Sequence, residues 1–260
     1  MRTFLACVAL SVVVVAQDNV QFSDPNVEDV FRYARMAVGG GAVAKIRTLE
    51  LKGQSKIVNA DASFIDCDVD IRILLPDHYL RIDATASDAK LAGFAGKNVL
   101  NAIRSGGNLS LPPANLTSAI LKNERARLAR LLLGGITYVT PEQLLLFHSS
   151  GLTGGMIDPR ESAKTAARME GRGEPNVAEI TGPEGFHARM IVDASSRWPT
   201  RLMYRSGSQD ETITFEDRRE IDGLKLPYRI TTSVGGRVID ALIFDEIRVN
   251  PEMSKGDFHR

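Results

Sequence analysis

Residues 65–73 read Ile65-Asp66-Cys67-Asp68-Val69-Asp70-Ile71-Arg72-Ile73. Apolar and polar side chains alternate without a break. Successive side chains of a strand point to opposite faces. One face therefore carries Ile65, Cys67, Val69, Ile71 and Ile73, and the other carries Asp66, Asp68 and Asp70. A strand of this kind belongs in a sheet with a core on one side and water on the other. The three aspartates also echo the start of a calcium-binding loop, but that loop needs Gly at its sixth position, where this chain has Ile71. The expectation is a solvent-facing acidic row with basic cross-strand neighbours and no metal. Cys67 falls on the apolar face and reads as a buried, inert thiol.

The pattern continues on both sides. Before it, Leu49, Leu51, Gly53, Ser55 and Ile57 alternate with polar residues. After it, Pro76-Asp77 marks a turn, Tyr79 to Thr85 gives another strand, and 90–104, rich in Gly and Ala, gives weaker ones. Further strands are expected at Ala166–Gly171, Val177–Thr181, Phe186–Asp193, Thr200–Arg205, Glu211–Arg219, Leu226–Val234 and Val238–Arg248. Short turns such as Gly182-Pro183, Asp222-Gly223 and Gly235-Gly236 separate them, which favours an antiparallel meander.

Three helices interrupt the strands. Asp24 caps the first, with Pro25 at its first position. Val27, Val30, Phe31, Ala34, Ala37 and Val38 follow at helical spacing, and Gly39-Gly40-Gly41 ends it. The second runs from about Leu116 to Leu133 and stops at Gly134-Gly135. Leu128, Leu131 and Leu132 lie near one face. Its basic side of Lys122, Arg125, Arg127 and Arg130 is read as solvated, with an anionic lipid head or a partner as the alternative. The third starts at the capping-box pattern Thr140-Pro141-Glu142-Gln143, with Leu144, Leu145, Leu146 and Phe147 apolar nearly all round. The second and third helices are expected to lie as a lid on the apolar face of the sheet, with Gly134-Gly135, Gly151 and Gly154-Gly155 as hinges.

Composition bounds the function. Of 260 residues, 43% are hydrophobic and 25% charged, ordinary globular usage that excludes a disordered chain or a multi-span membrane protein. The 32 basic and 32 acidic residues cancel, so no basic field points to nucleic acid. With aromatic residues at 6%, a stacking platform for bases or sugars is not expected. Arg2 and the apolar run Phe4–Ala16 have the layout of a cleaved signal peptide, so residues 1–16 would leave and the mature chain would start at Gln17. Cys7 sits before most of that run, so no lipid anchor is expected, and Cys67 is left without a disulfide partner.

Catalytic motifs are missing. His78, His148, His187 and His259 form no HExxH, and there is no GxSxG, Walker loop or CxxC. Gly171-Arg172-Gly173 lacks the third Gly of a dinucleotide loop, because Asn176 stands there. No catalytic residue, metal ligand or cofactor is expected. An enzyme built from scattered residues is the remaining alternative.

The layout resembles the LolA-like superfamily of bacterial periplasmic lipoprotein carriers and related lipid-binding regulators. The likeness lies first in the helix ending in Gly-Gly and the following Ala42-Val43-Ala44-Lys45-Ile46-Arg47-Thr48-Leu49, and in Leu75-Pro76-Asp77-His78-Tyr79-Leu80-Arg81. It continues in Gly185-Phe186-His187-Ala188-Arg189-Met190-Ile191-Val192-Asp193, Trp198-Pro199-Thr200-Arg201-Leu202, Phe215-Glu216-Asp217-Arg218 and Ile221-Asp222-Gly223-Leu224-Lys225-Leu226-Pro227. Val249-Asn250-Pro251 and Phe258 resemble the family's closing tail. The resemblance covers residues 17–260 as a single α+β domain. It implies a curved antiparallel sheet, a half-barrel, closed by helices, whose concave face holds acyl chains. Leu51, Val69, Ile71, Ile73, Leu128, Leu131, Leu132, Leu145, Phe147, Tyr228 and Ile230 are the expected lining. The implied function is that of a non-enzymatic, monomeric periplasmic protein binding lipid or lipoprotein acyl chains. A regulatory or scaffold module contacting another envelope protein is the alternative.

Overall fold

The computed structural model describes residues 20–58, 63–140, 145–149 and 176–259. The stretch 1–16, the strand expected at Ala166–Gly171 and the glycines at 151, 154 and 155 lie outside the described residues. Fifteen strands, counted among the described residues, make one curved, unclosed sheet. In the first half they are β1 (Val20–Phe22), β2 (Thr48–Val58), β3 (Phe64–Leu74), β4 (His78–Ala84), β5 (Asp88–Ala95), β6 (Asn98–Val99), β7 (Ala102–Ser105) and β8 (Asn108–Ser110). In the second half they are β9 (Leu145–Ser149), β10 (Asn176–Thr181), β11 (His187–Val192), β12 (Pro199–Ser206), β13 (Gln209–Ile221), β14 (Leu224–Val234) and β15 (Arg237–Val249). Helices α1 (Pro25–Val38) and α2 (Thr117–Gly135) complete the α+β architecture.

Each strand from β9 to β15 pairs antiparallel with the next, as do β2 to β5. β15 pairs antiparallel with β2, which joins the two halves into one surface. The expected meander is present with one departure: β1 lies parallel to β9, with Val20 opposite Leu145 and Phe22 opposite Phe147.

α1 forms where its pattern predicts. Asp24 accepts hydrogen bonds from the backbone N–H groups of Asn26 and Val27, both at 3.0 Å. Val27, Phe31, Ala34 and Val38 recur every three or four residues and are buried. Phe31 packs on Phe22 and Phe147, with ring centroids 5.7 and 4.6 Å away.

The third helix does not form at 145–149. Leu145 to Ser149 is a strand, and Pro141–Leu144 lie outside the described residues. A short apolar run carries no period that separates helix from strand. Here β1 and β10 supply hydrogen-bonding edges on both sides. Alternation then buries Leu145 and Phe147 and leaves Leu146 exposed.

On β3, Cys67, Val69, Ile71 and Ile73 are buried, and the aspartates face outward as expected. Lys52, Gln54 and Lys56 lie opposite Asp70, Asp68 and Asp66. Lys56 meets Asp66 at 3.1 Å, and Gln54 donates to Asp68 at 2.6 Å. Burial, and next the Asp83 charge, raise the Cys67 thiol above its ordinary value. Ile65 departs from the expectation: it is 37% exposed. Pairing with β4 begins only at Asp68 opposite Ala84, so the first residues of β3 project past their neighbour.

β4 is covered on both faces. Leu80 joins Leu91, Leu100, Ala102 and Phe258 in a small convex cluster, closed by the C-terminal tail. That tail is held where Asn250 accepts from the Arg47 N–H at 2.7 Å and Thr48 donates to the Pro251 carbonyl at 2.7 Å. The opposite face carries Tyr79, Arg81 and Asp83.

α2 crosses the sheet, packing against β5 and β6 and also against β11, β12 and β13. It runs through Gly134 and Gly135 rather than stopping before them, and both are buried. A Cβ on Gly134 would lie 2.0 Å from the Phe215 ring. Arg218 donates to the carbonyls of Gly134 (3.1 Å), Gly135 (2.9 Å), Lys225 (2.9 Å) and Pro199 (2.6 Å). The two glycines are therefore a seat for the helix end and not a hinge.

Ile73→Asp buries a carboxylate between Leu49 and Tyr79, with no cation opposite it, and should cost about 3–5 kcal/mol, whereas Asp68→Asn should stay within about 0.5 kcal/mol of wild type in thermal unfolding. Equal shifts would contradict the assignment of faces. Gly134→Ala gains about 1 kcal/mol of helix propensity. It should nevertheless destabilise by about 1–3 kcal/mol through overpacking, with recovery in the Gly134→Ala, Phe215→Leu pair. A more stable single variant would mean that the helix is not seated on Phe215.

Candidate functional site

The apolar face of the half-barrel is wider than one helix can fill. Between α2 and the strands lies a cavity of about 840 Å³. Ile71, Phe94, Leu128, Leu131, Leu145, Ile213, Ile230 and Leu242 supply apolar wall. Lys122, Arg125, Arg127, Arg130, Arg81 and Arg205 line it with positive charge, and Asp77, Glu184, Glu211 and Asp240 with negative charge.

Of the residues expected to line a cavity, Ile71, Leu128, Leu131, Leu145 and Ile230 do so. A second space of about 30 Å³, about one water in size, touches Leu51, Ile73, Leu131, Leu132 and Ile230. Val69, Phe147 and Tyr228 line neither. Phe147 is consumed by the aromatic cluster under α1, 5.5 Å from Phe22 and 4.6 Å from Phe31. Tyr228 is stacked by the Arg219 guanidinium, 4.1 Å from its ring centre.

The polar wall holds residues that periodicity did not flag. Arg81 donates to Asp83 at 3.0 and 2.8 Å and to Asp240 at 2.6 and 2.9 Å. Ser55 donates to Asp83 at 2.7 Å. Burial alone would lower the Arg81 pKa, but the hydrogen bonds and charges of Asp240 and Asp83 outweigh it and hold it above its ordinary value. Arg81 and Asp83 are two apart on β4 and share Tyr79's face, so strand alternation carried the signal once that face was known to be inward. Burial also raises the Tyr79 hydroxyl, to about 12, so it stays protonated at neutral pH.

The basic row of α2 is not simply solvated. Arg127 pairs with Glu124 at 3.0 Å, and the buried Glu124 also accepts from Asn101 at 3.1 Å. Arg125 donates to the Gly96 carbonyl at 3.2 Å and lies 5.9 Å from the Phe94 ring centre. Arg130 stacks 3.6 Å from the Tyr204 ring centre and 5.7 Å from that of Phe186. The Tyr204 hydroxyl donates to Glu211. Burial, and then that bond, raise the Tyr204 pKa, while burial lowers that of Arg130. The arrangement can enclose an apolar chain and meet a charged group at its wall. Among the described residues, no group of three His, Cys, Asp or Glu side chains could hold a metal.

No family model matches the sequence, and no curated protein matches it. Solved structures match its shape. A LolA superfamily protein from Nitrosomonas europaea superposes with a TM-score of 0.52 at 13% identity, covering 90% of this chain and 97% of that one. A DUF1329 family protein from Desulfovibrio piger superposes with a TM-score of 0.51 at 10% identity, again covering 90% and 97%. At such identities the likeness is one of fold, and the fold of this chain is LolA-like.

Proposed function

We propose that the protein is a non-enzymatic, monomeric periplasmic binding protein that holds a lipid or acylated polypeptide in its apolar cavity. The observation that carries this reading is the cavity of about 840 Å³ between α2 and the concave face. Its size falls within the roughly 300–1,000 Å³ typical of sites that enclose a small molecule. Its wall combines apolar side chains with a comparable share of charged ones, which suits a chain with a polar end. The LolA-like fold supports the same reading. Export rests on the apolar stretch at 4–16, and no helix among the described residues is long and apolar enough to cross a membrane.

A second reading has one observation in its favour. Ile103, Leu109, Leu111 and Leu116 are 46–53% exposed at and beside the β7–β8 edge, where another envelope protein could dock. The regulatory or scaffold role would use that edge and leave the cavity idle.

A neutral, environment-sensitive apolar dye separates the two. The wild type should bind it saturably. Leu131→Trp and Ile230→Trp, which put bulk into the cavity, should each weaken binding about tenfold or more, a loss of about 1.4 kcal/mol. Circular dichroism should give both variants the wild-type spectrum. Absence of saturable binding to the wild type, or equal binding by both variants, would overturn the carrier reading in favour of the scaffold.

A further inference from the structure

Arg130 differs from Arg81, Arg218 and Arg127 in what its donors meet. Arg81 spends four hydrogen bonds on Asp83 and Asp240. Arg218 spends four on backbone carbonyls, although its Nε, like that of Arg130, has no partner among the described residues. Arg127 is paired with Glu124. Arg130 makes no ion pair among the described residues, and its buried Nε has no hydrogen-bond partner there. Glu211 attracts the Arg130 charge and accepts from the Tyr204 hydroxyl, but forms no ion pair with the guanidinium.

Its position is nonetheless fixed. Stacking on Tyr204 and Phe186 holds the guanidinium plane, and a stacked guanidinium keeps its edge donors available. It lines the same cavity as its chain neighbour Leu131 and as Ile213 on β13. Burial weakens its hydration and lowers its pKa, so an anion reaching it gains more than it would from a lysine in open water. The planar fork matches the two oxygens of a carboxylate or a phosphate.

We infer that Arg130 anchors the anionic head, a carboxylate or phosphate monoester, of an amphiphile whose apolar chain lies in the cavity. This rests on the binding reading proposed above and adds the class of ligand to it. The Tyr204–Glu211 pair then has a positioning role: it holds the ring on which Arg130 stacks.

The test displaces the neutral dye with dodecanol, dodecanoate and dodecyl phosphate, which share one chain length. The wild type should prefer the two anions over the alcohol by about tenfold or more. Arg130→Met should lose that preference and keep wild-type affinity for dodecanol. Arg130→Lys, which keeps the charge but not the stacked fork, should keep only part of it. Arg201→Met removes an exposed charge outside the cavity wall and should keep the preference. Preference retained in Arg130→Met, or absent from the wild type, overturns the anchor while leaving the cavity reading intact. Failure of the dye and all three amphiphiles to bind overturns both. Inorganic phosphate displacing dodecyl phosphate at equal concentration would mean a site for the free anion, and would overturn the amphiphile.

Discussion

A half-barrel with an open apolar face must put something across that face, and here everything turns on how one end of α2 is held. The last turn of a helix leaves carbonyls without partners. Arg218 reaches from β13 and donates to the two at Gly134 and Gly135, while also bonding Pro199 and Lys225. Burial pushes its pKa down to about 10, which leaves it charged at neutral pH. Gly134 lets the backbone settle on the Phe215 ring where no side chain would fit. Fixed at this end, the helix lies across strands from both halves of the sheet. It cannot fill the whole concavity, and the remaining space is the cavity.

The site inherits two zones from this geometry. Leu128 and Leu131 line the cavity together with Ile71, Ile230 and Leu242, while Arg125 lies against Phe94 and Arg130 against Tyr204 and Phe186. On one flank, Arg81 is locked between two aspartates and closes the wall with its charge satisfied. On the other, Arg130 rests on aromatic rings with its buried Nε unpartnered among the described residues. Arg81 is structural, and Arg130 is the one we propose for a ligand. The distinction lies in their partners, since both are half-buried or deeper within the same cavity wall.

Much of the fold was legible because its signals were local. The alternation at 65–73, the Asp24-Pro25 start of α1 and the short turns of the second half each dictate an element by themselves. What failed had non-local causes. The run Leu145-Leu146-Phe147 became a strand because β1 and β10 offer it edges 100 or more and about 30 residues away in sequence. Ile65 is exposed because β4 ends before reaching it. In the site, five of the eleven expected lining residues face the large cavity, since alternation and helical spacing identify apolar faces. The same spacing does not say which part of an apolar face is packed solid, as Phe147 is, and which borders space. Glycine at 134 read as an end signal, yet its role is set by Phe215, some eighty residues on.

The central claim is that an acyl chain occupies the space between α2 and the concave face. Nuclear Overhauser contacts between a bound acyl chain and methyl-labelled side chains test it most directly. The account predicts contacts from the chain to Ile71, Leu131, Ile230 and Leu242 together. Contacts confined to the exposed Ile103 and Leu109 at the sheet edge would contradict it.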